Sequence, residues 1–310
     1  MTAGGGSRVG LIGCGRWGKH ILRDLVALGV EVVVVAPNEA TRARAIAGGA
    51  IEATAELDKL TGRVQGFVVA TPTSTHGEIV ERLLPTDVPI FVEKPLANDA
   101  AVARRIADKG DGRVFVMDKW RYHPGVCALA DLACSGALGR TLAIRSVRLG
   151  WGNPYDVDAV WILAPHDLSI ALHILGDLPP VRWARALARV PPGSAVIAEL
   201  SHPNEGATIT LEISAIEPVR RRSVVVVGDR ASAQLADAYD DHIILIDGPP
   251  LDAAAARQKI PFDPVMPLFL ELKAFVDHLR GGPPPKSSVA EGALVVERIS
   301  EIRRLCEFPN

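Results

Sequence analysis

Lys94, in the run Glu93-Lys94-Pro95, and His166, in Ala164-Pro165-His166-Asp167, are the side chains best suited to moving a proton. Making or breaking a bond at a substrate oxygen commonly requires a proton to leave or reach that oxygen. A positioned acid or base with a pKa near the working pH does this most efficiently. A lysine whose pKa is depressed by burial or a neighbouring cation can polarise a carbonyl, hold a developing alkoxide or carry the proton. Imidazole is the natural proton carrier near neutral pH. The plainer alternatives are a surface lysine at a turn and a histidine packed at a helix start. Pro165 stands where a helix is expected to begin, which puts His166 in its first turn. His173 lies two turns further on and reads as a packed helical residue.

Gly13-Cys14-Gly15-Arg16-Trp17-Gly18 ends 75 residues before Glu93 and has the spacing of a dinucleotide-binding turn. A short apolar strand, Arg8 to Ile12, precedes it. Gly18 to Leu28 follows with apolar residues at helical spacing. In that context Gly13 makes the tight turn, Gly15 lets a pyrophosphate approach the backbone, and Gly18 lets helix and strand pack closely. The phosphates would meet the helix N-terminus, where unpaired N–H groups and the dipole favour an anion. A glycine-rich turn without a ligand is the other reading. Arg16 and Trp17 sit inside the turn and join the candidate cofactor contacts.

The next strand, Glu31 to Val35, should end in an acid that holds the ribose hydroxyls. It reads Val35-Ala36-Pro37-Asn38 instead. Nothing there repels a 2′-phosphate, and Arg42 and Arg44 follow on the next helix. The cofactor expectation is therefore NAD(P), with NADP slightly favoured and with Asn38 and Arg42 as contacts. The arginines could equally be solvated helix-face residues. Thr71, Pro72, Thr73 and His76, after the strand Gly66 to Ala70, and Glu93 with Lys94, after the strand Val88 to Val92, lie at strand ends. Ligands in open α/β sheets bind there.

The elements that must position these groups fall into two regions. Up to about residue 120, short apolar strands alternate with helical segments (Thr75 to Leu84; Asn98 to Lys109, capped by Asn98), the pattern of a doubly wound parallel sheet. Beyond it come Thr141 to Leu149, Val181 to Val190, Ala195 to Leu200, Thr208 to Ala215, Arg222 to Val227 and His242 to Ile246. Several are joined without helices, which predicts a largely antiparallel sheet. Helices are expected at Pro124 to Cys134, His166 to Leu175, Pro267 to Arg280 and Val289 to Cys306. The fold class is α/β: an N-terminal Rossmann domain over residues 1–120, then an α+β domain over 121–310 with a largely antiparallel open sheet.

Composition narrows the function. The 310 residues carry a net charge of −2, which gives no electrostatic case for nucleic acid or an anionic membrane. No apolar run approaches the roughly 20 residues of a membrane span. Met1 to Ser7 lacks the basic start and apolar core of a secretory signal and reads as a flexible tail. The four cysteines, Cys14, Cys127, Cys134 and Cys306, form no C-x-x-C pair, so no metal is expected. A cytoplasmic protein with free thiols is the expectation.

Gly13 to Gly18, Ala70 to His76, Glu93-Lys94-Pro95, Trp120-Arg121-Tyr122-His123-Pro124 and Trp161 to Gly176 together resemble the Gfo/Idh/MocA family of oxidoreductases. The resemblance implies oxidation of a ring hydroxyl or reduction of a ketone on sugars, nucleotide-linked sugars or cyclitols. It implies that Lys94 lies by the nicotinamide and substrate, that His166 exchanges the proton, and that the protein is a homodimer or homotetramer.

Two departures from the family pattern concern the substrate. Ile162 stands where many members carry an aspartate four residues before the histidine. Asp167 is adjacent to the histidine, but successive helical residues do not share a face. Lys119 replaces an asparagine before the Arg121-Tyr122 region, and is either a second cation for an anionic substrate or a peripheral replacement. Trp151, Tyr155 and Trp161, with Arg145 and Arg148, bracket the segment leading to His166. They suit sugar and phosphate recognition or an ordinary core. Lys119, Arg121, Trp151, Tyr155, Trp161 and Asp167 are the candidate substrate contacts. Alternative functions are a non-catalytic NAD(P)-binding sensor on the same fold and an imine or open-chain carbonyl reductase.

Overall fold

The computed structural model describes residues 7–151, 157–190, 193–203, 206–252 and 254–308. The chain divides into two units, Met1–Lys119 with Met266–Val296, and Trp120–Val265 with Glu297–Asn310.

The first unit is built on β1 (Arg8–Ile12), α1 (Gly18–Ala27), β2 (Glu31–Val35), α2 (Glu39–Ala47), β3 (Glu52–Thr54), β4 (Gly66–Val69), α3 (His76–Leu83), β5 (Ile90–Glu93), α4 (Ala100–Gly110) and β6 (Val114–Met117). The six strands are parallel and ordered β3-β2-β1-β4-β5-β6. The order reverses between β1 and β4, which makes a crevice at their carboxyl ends. The strands read as unbroken apolar runs because they are buried throughout: Val32, Val33, Val34, Phe67, Val68, Val69, Phe91 and Val92 have almost no exposure. The helix starts follow side-chain chemistry. Asn38 caps α2 by accepting from the Thr41 N–H at 3.2 Å. On α4 the cap is Asp99, whose carboxylate accepts from the Val102 N–H at 2.8 Å, so the expected cap at Asn98 is one residue early.

The second unit holds α5 (Pro124–Cys134), β7 (Thr141–Trp151), α6 (Ala159–Leu175), β8 (Val181–Val190), β9 (Gly193–Leu200), β10 (Thr208–Ser214), β11 (Ile216–Gly228), β12 (Ala231–Leu235), β13 (His242–Asp247) and β14 (Ala256–Pro261). These form an eight-stranded sheet in the order β14-β13-β12-β11-β7-β10-β9-β8. Only β7 and β10 run parallel; the other neighbours are antiparallel. Two further helices follow. In the first unit, α7 (Pro267–Leu279) buries Leu268, Glu271, Leu272, Phe275 and Val276. α8 (Val289–Leu305) starts in the first unit and ends in the second.

One expectation about α6 is corrected. The helix begins at Ala159, two turns before Pro165, because the Asp158 carboxylate accepts from the N–H groups of Val160 (2.9 Å) and Trp161 (3.4 Å). His166 is therefore an interior residue of the helix. Pro165 has no N–H to return to the Trp161 carbonyl, so it interrupts the ladder just before the histidine. No described helix is long and apolar enough to cross a membrane.

Candidate functional site

In the first unit, the turn after β1 lies against the end of β4. The Ala70 N–H donates to the Ile12 carbonyl at 2.8 Å, and the Gly13 N–H donates to the Val35 carbonyl at 2.9 Å. Gly13 has φ +90°, and a Cβ there would lie 2.5 Å from the Ala70 carbonyl oxygen, so conformation and space both require glycine. A Cβ on Gly18 would overlap the Gly13 carbonyl. Gly15 differs: a Cβ there would meet no protein atom within 4 Å, which leaves its backbone open to a ligand. Arg16 is exposed beside it. The buried Cys14 thiol is pushed up in pKa by desolvation, which keeps it in the unreactive thiol form.

The corner after β5 is tied to this turn. The Trp17 indole N–H donates to Glu93 Oε1, and the Lys94 backbone N–H reaches Glu93 Oε2 at 3.2 Å. Lys119, just past β6, places its Nζ 4.5 Å from the centre of the Trp17 ring, a cation–π contact. Burial pushes the Glu93 pKa up, against the opposing pull of Lys94, Lys119 and the two hydrogen bonds. Lys94 and Lys119 are both half-buried. The Lys94–Pro95 peptide bond is cis.

At the end of β2, Arg42 folds back and donates to the carbonyls of Ala36 (2.8 Å) and Pro37 (2.6 Å). This parks a guanidinium at the strand end, where Rossmann sheets hold the adenosine ribose. Asn38 acts as the α2 cap. Arg44 instead donates to the Thr41 hydroxyl at 2.9 Å on the exposed helix face.

After β4, Thr75 Oγ1 donates to the Pro72 carbonyl at 2.7 Å, which leaves it to accept from Thr71 Oγ1 at 2.8 Å. Thr73 is buried and Pro72 exposed. His76 is buried, with Nδ1 2.8 Å from the Pro95 carbonyl and Nε2 3.0 Å from the Thr71 carbonyl. Its ring thus braces the Thr71 loop against the Lys94-Pro95 corner.

In the second unit, His166 is half-buried on α6, its ring edge-on to Trp120 at 6.2 Å. Trp120 also stacks on His123 (5.2 Å) and carries the Arg148 guanidinium 4.6 Å from its ring centre. Asp167 is buried and faces β7. Its Oδ2 accepts from Arg148 Nε at 2.6 Å, and its Oδ1 accepts from Ser146 at 2.6 Å and Arg148 Nη2 at 3.1 Å. Both oxygens of that carboxylate are engaged by protein groups. Trp161 is buried against the Arg303 guanidinium at 5.3 Å, and Arg121 and Ile162 are buried. Arg145 and Arg148 leave β7 on different sides, Arg145 exposed near Glu212 (3.8 Å) and Arg148 buried on Asp167. Tyr155 and the side chain of Trp151 lie outside the described residues.

Two groups escaped the sequence reading. One is Ser146, which joins Arg148 in holding Asp167. The other is Glu271 on α7, buried near Glu93 with its pKa raised well above the usual carboxylate range, by burial first and by Glu93 second. The signal for it was present: Glu271 is the one acid on a helix face otherwise formed by Leu268, Leu272, Phe275 and Val276. Among the described residues no three His, Cys, Asp or Glu side chains come together as a metal site.

The parallel sheet, its strand order and the glycine turn define the first unit as an NAD(P)-binding Rossmann domain. Residues 7–116 match the model of the Gfo/Idh/MocA oxidoreductase family, described as having an NAD-binding Rossmann fold. The match covers 110 of the 310 residues and lies wholly within the first unit. It is 29% identical to an inositol 2-dehydrogenase of Rubrobacter xylanophilus over 56% of this chain and 51% of that one. The matched stretch thus spans about half the length of that relative. An inositol 2-dehydrogenase of Paenarthrobacter aurescens matches at 26% identity over 95% of this chain and 94% of its own. The structure of a levoglucosan dehydrogenase, solved with NADH and levoglucosan, shares the fold at a TM-score of 0.86 and 18% identity, over 98% of both chains.

Proposed function

We propose that the protein is an NAD(P)-dependent dehydrogenase or reductase acting on CH–OH groups, with a sugar, nucleotide-linked sugar or cyclitol as substrate. The observation that carries this reading is the link from Trp17 in the glycine turn to Glu93 in the Glu93-Lys94-Pro95 corner. It ties the turn suited to a dinucleotide to the lysine suited to a hydroxyl or carbonyl. Relatives named as inositol and nucleotide-sugar dehydrogenases support the substrate class. When bound, the nicotinamide supplies the hydride donor or acceptor. Lys94 then polarises the substrate oxygen or shuttles its proton, and His166 is the second candidate acid or base. Gly13, Gly15, Gly18 and Thr71 line the cofactor, and His76 holds the loop that carries Thr71. Asp167 serves as a positioning residue, since Arg148 and Ser146 occupy it.

NADP is the preferred cofactor in this reading, because Ala36 carries no charge and Arg42 stands at the strand end. The reading also carries a cytoplasmic homodimer or homotetramer, which sedimentation of the purified chain checks.

The test is Lys94→Ala, assayed on a panel of cyclitols and sugars by nicotinamide absorbance. Turnover should fall by about 10²- to 10⁴-fold, the usual worth of a general acid/base, with cofactor binding retained. A buried Ile162 in place of an acid favours the second reading, a cofactor-binding sensor. Wild-type protein that binds cofactor but turns over none of the panel, with Lys94→Ala indistinguishable from it, would establish the sensor.

A further inference from the structure

Glu271 is 1% exposed, and its Oε2 has no hydrogen-bond partner. A carboxylate left so would cost several kcal/mol, so such groups are paired or neutral. Its position follows from packing inside the first unit. Phe275, one turn along α7, stacks on Phe91 of β5, with ring centres 4.9 Å apart. On a helix, residues four apart share a face; on a strand, residues two apart do. Stepping one turn back on α7 covers about 6 Å, and stepping from Phe91 to Glu93 covers about 6.6 Å. The same stack that buries the two phenylalanines therefore brings Glu271 alongside Glu93. Glu93 and Lys119 head the charged groups that act on Glu271, followed by Asp118 and Lys94. From α1, which also packs on α7, come Lys19, His20, Arg23 and Asp24; the buried Asp24 is already paired with Arg23 at 2.7 Å.

Charge counting gives the state of the cluster. Three carboxyls (Glu93, Asp118 and Glu271) face two ammoniums (Lys94 and Lys119). An uncharged Glu271 leaves two against two; an ionised one leaves an uncompensated buried charge beside Lys94.

We propose that Glu271 is a positioning residue for Lys94: an uncharged carboxylic acid packed behind the Glu93-Lys94-Pro95 corner that keeps its carboxylates and ammoniums in balance. While it holds its proton, Glu271 adds no negative charge beside Lys94, and the lysine is freer to give up its own proton. When Glu271 ionises, the added charge holds Lys94 protonated. The direction of the Glu271 shift, upward by burial first and by Glu93 second, agrees with this. The role deepens the proposed chemistry at Lys94, but its test needs no turnover.

Two measurements on Glu271→Gln decide it. In the first, the lysines are reductively methylated with a ¹³C label, and the Lys94 signal, assigned by its loss in Lys94→Arg, is titrated. Lys94 should lose its proton at a pH lower by roughly one unit in Glu271→Gln, the scale of strongly coupled sites. An unchanged Lys94 titration overturns the proposal, because a purely structural role would not move it. In the second, thermal unfolding is followed from pH 5 to 9. A folded-state pKa above the unfolded value gives stability that is full at low pH and is lost as pH rises through the folded pKa. Gln cannot ionise in either state, so the variant should gain on the wild type as pH rises. A variant less stable by the same amount at every pH would mean that Glu271 is a paired carboxylate, and the proposal would fall. Both results stand even if no substrate is found, so a failure here is distinguishable from a failure of the dehydrogenase reading.

Discussion

The Trp17 indole donates a hydrogen bond to the Glu93 carboxylate, joining the glycine turn after β1 to the corner after β5. Two strands that are not neighbours in the sheet are thereby coupled at their carboxyl ends, with Lys119 seated on the Trp17 ring.

Trp17→Phe keeps most of the apolar area and removes the donor. The unfolding free energy should fall by roughly 1.5 kcal/mol, the lower end for a hydrogen bond to a charged group, since both side chains are half-buried. Urea denaturation measures it. No loss would mean that the indole bond contributes nothing net.

Gly13 and Gly15 give opposite expectations. Gly13→Ala meets both a positive φ and the Ala70 carbonyl, so stability should drop by about 1–3 kcal/mol or more. Gly15→Ala has open space in the protein and should unfold at the wild-type temperature. Its methyl group would occupy the room a pyrophosphate needs, so cofactor binding should weaken by about tenfold or more, near 1.4 kcal/mol. Calorimetry and cofactor titration of the two variants check the pair. Gly15→Ala binding as the wild type does would remove the pyrophosphate from this turn.

Asp167→Asn should cost about 3–5 kcal/mol, because it leaves the buried Arg148 guanidinium without its counter-charge. Replacing both partners, Arg148→Met with Asp167→Leu, should recover much of that loss. Chemical denaturation of the single and double variants separates a structural pair from a substrate ligand. A double variant as unstable as the single would show that the pair is not the unit that matters.

Ala36→Asp would put an acid where other Rossmann sheets hold the ribose hydroxyls. Affinity for NADPH should fall by about tenfold or more, while affinity for NADH holds or rises. Arg42→Ala should weaken NADPH selectively. Parallel losses for both cofactors in both variants would argue against NADP preference.

Much of the first unit was legible because its signals are local. The apolar strand runs, the glycine turn and the strand ends carrying Thr71 and Lys94 follow from short-range pattern. The second unit was harder to read where burial is one-sided or absent. Ala231–Leu235 alternates in burial but carries no β-branched or aromatic residue to mark it as a strand, and Ala256–Pro261 is a mostly exposed edge strand ending in proline. α6 was started too late because Pro165 resembles a helix start, whereas Asp158 supplies the cap. Glu271 was hidden differently. Its role depends on α7 returning to the first unit after some 146 residues spent elsewhere, a long-range fact that no local spacing records. The partnership of Asp167 with Arg148 depends likewise on α6 lying on β7.

The central claim, that the glycine turn holds a nicotinamide dinucleotide, is tested most directly by titrating the purified protein with NADPH and NADH and following the nicotinamide fluorescence. Saturable binding with NADPH the tighter ligand, weakened in Gly15→Ala, is the result this account predicts. Saturation by neither cofactor would contradict it, and the chemistry assigned to Lys94 and His166 would fall with it.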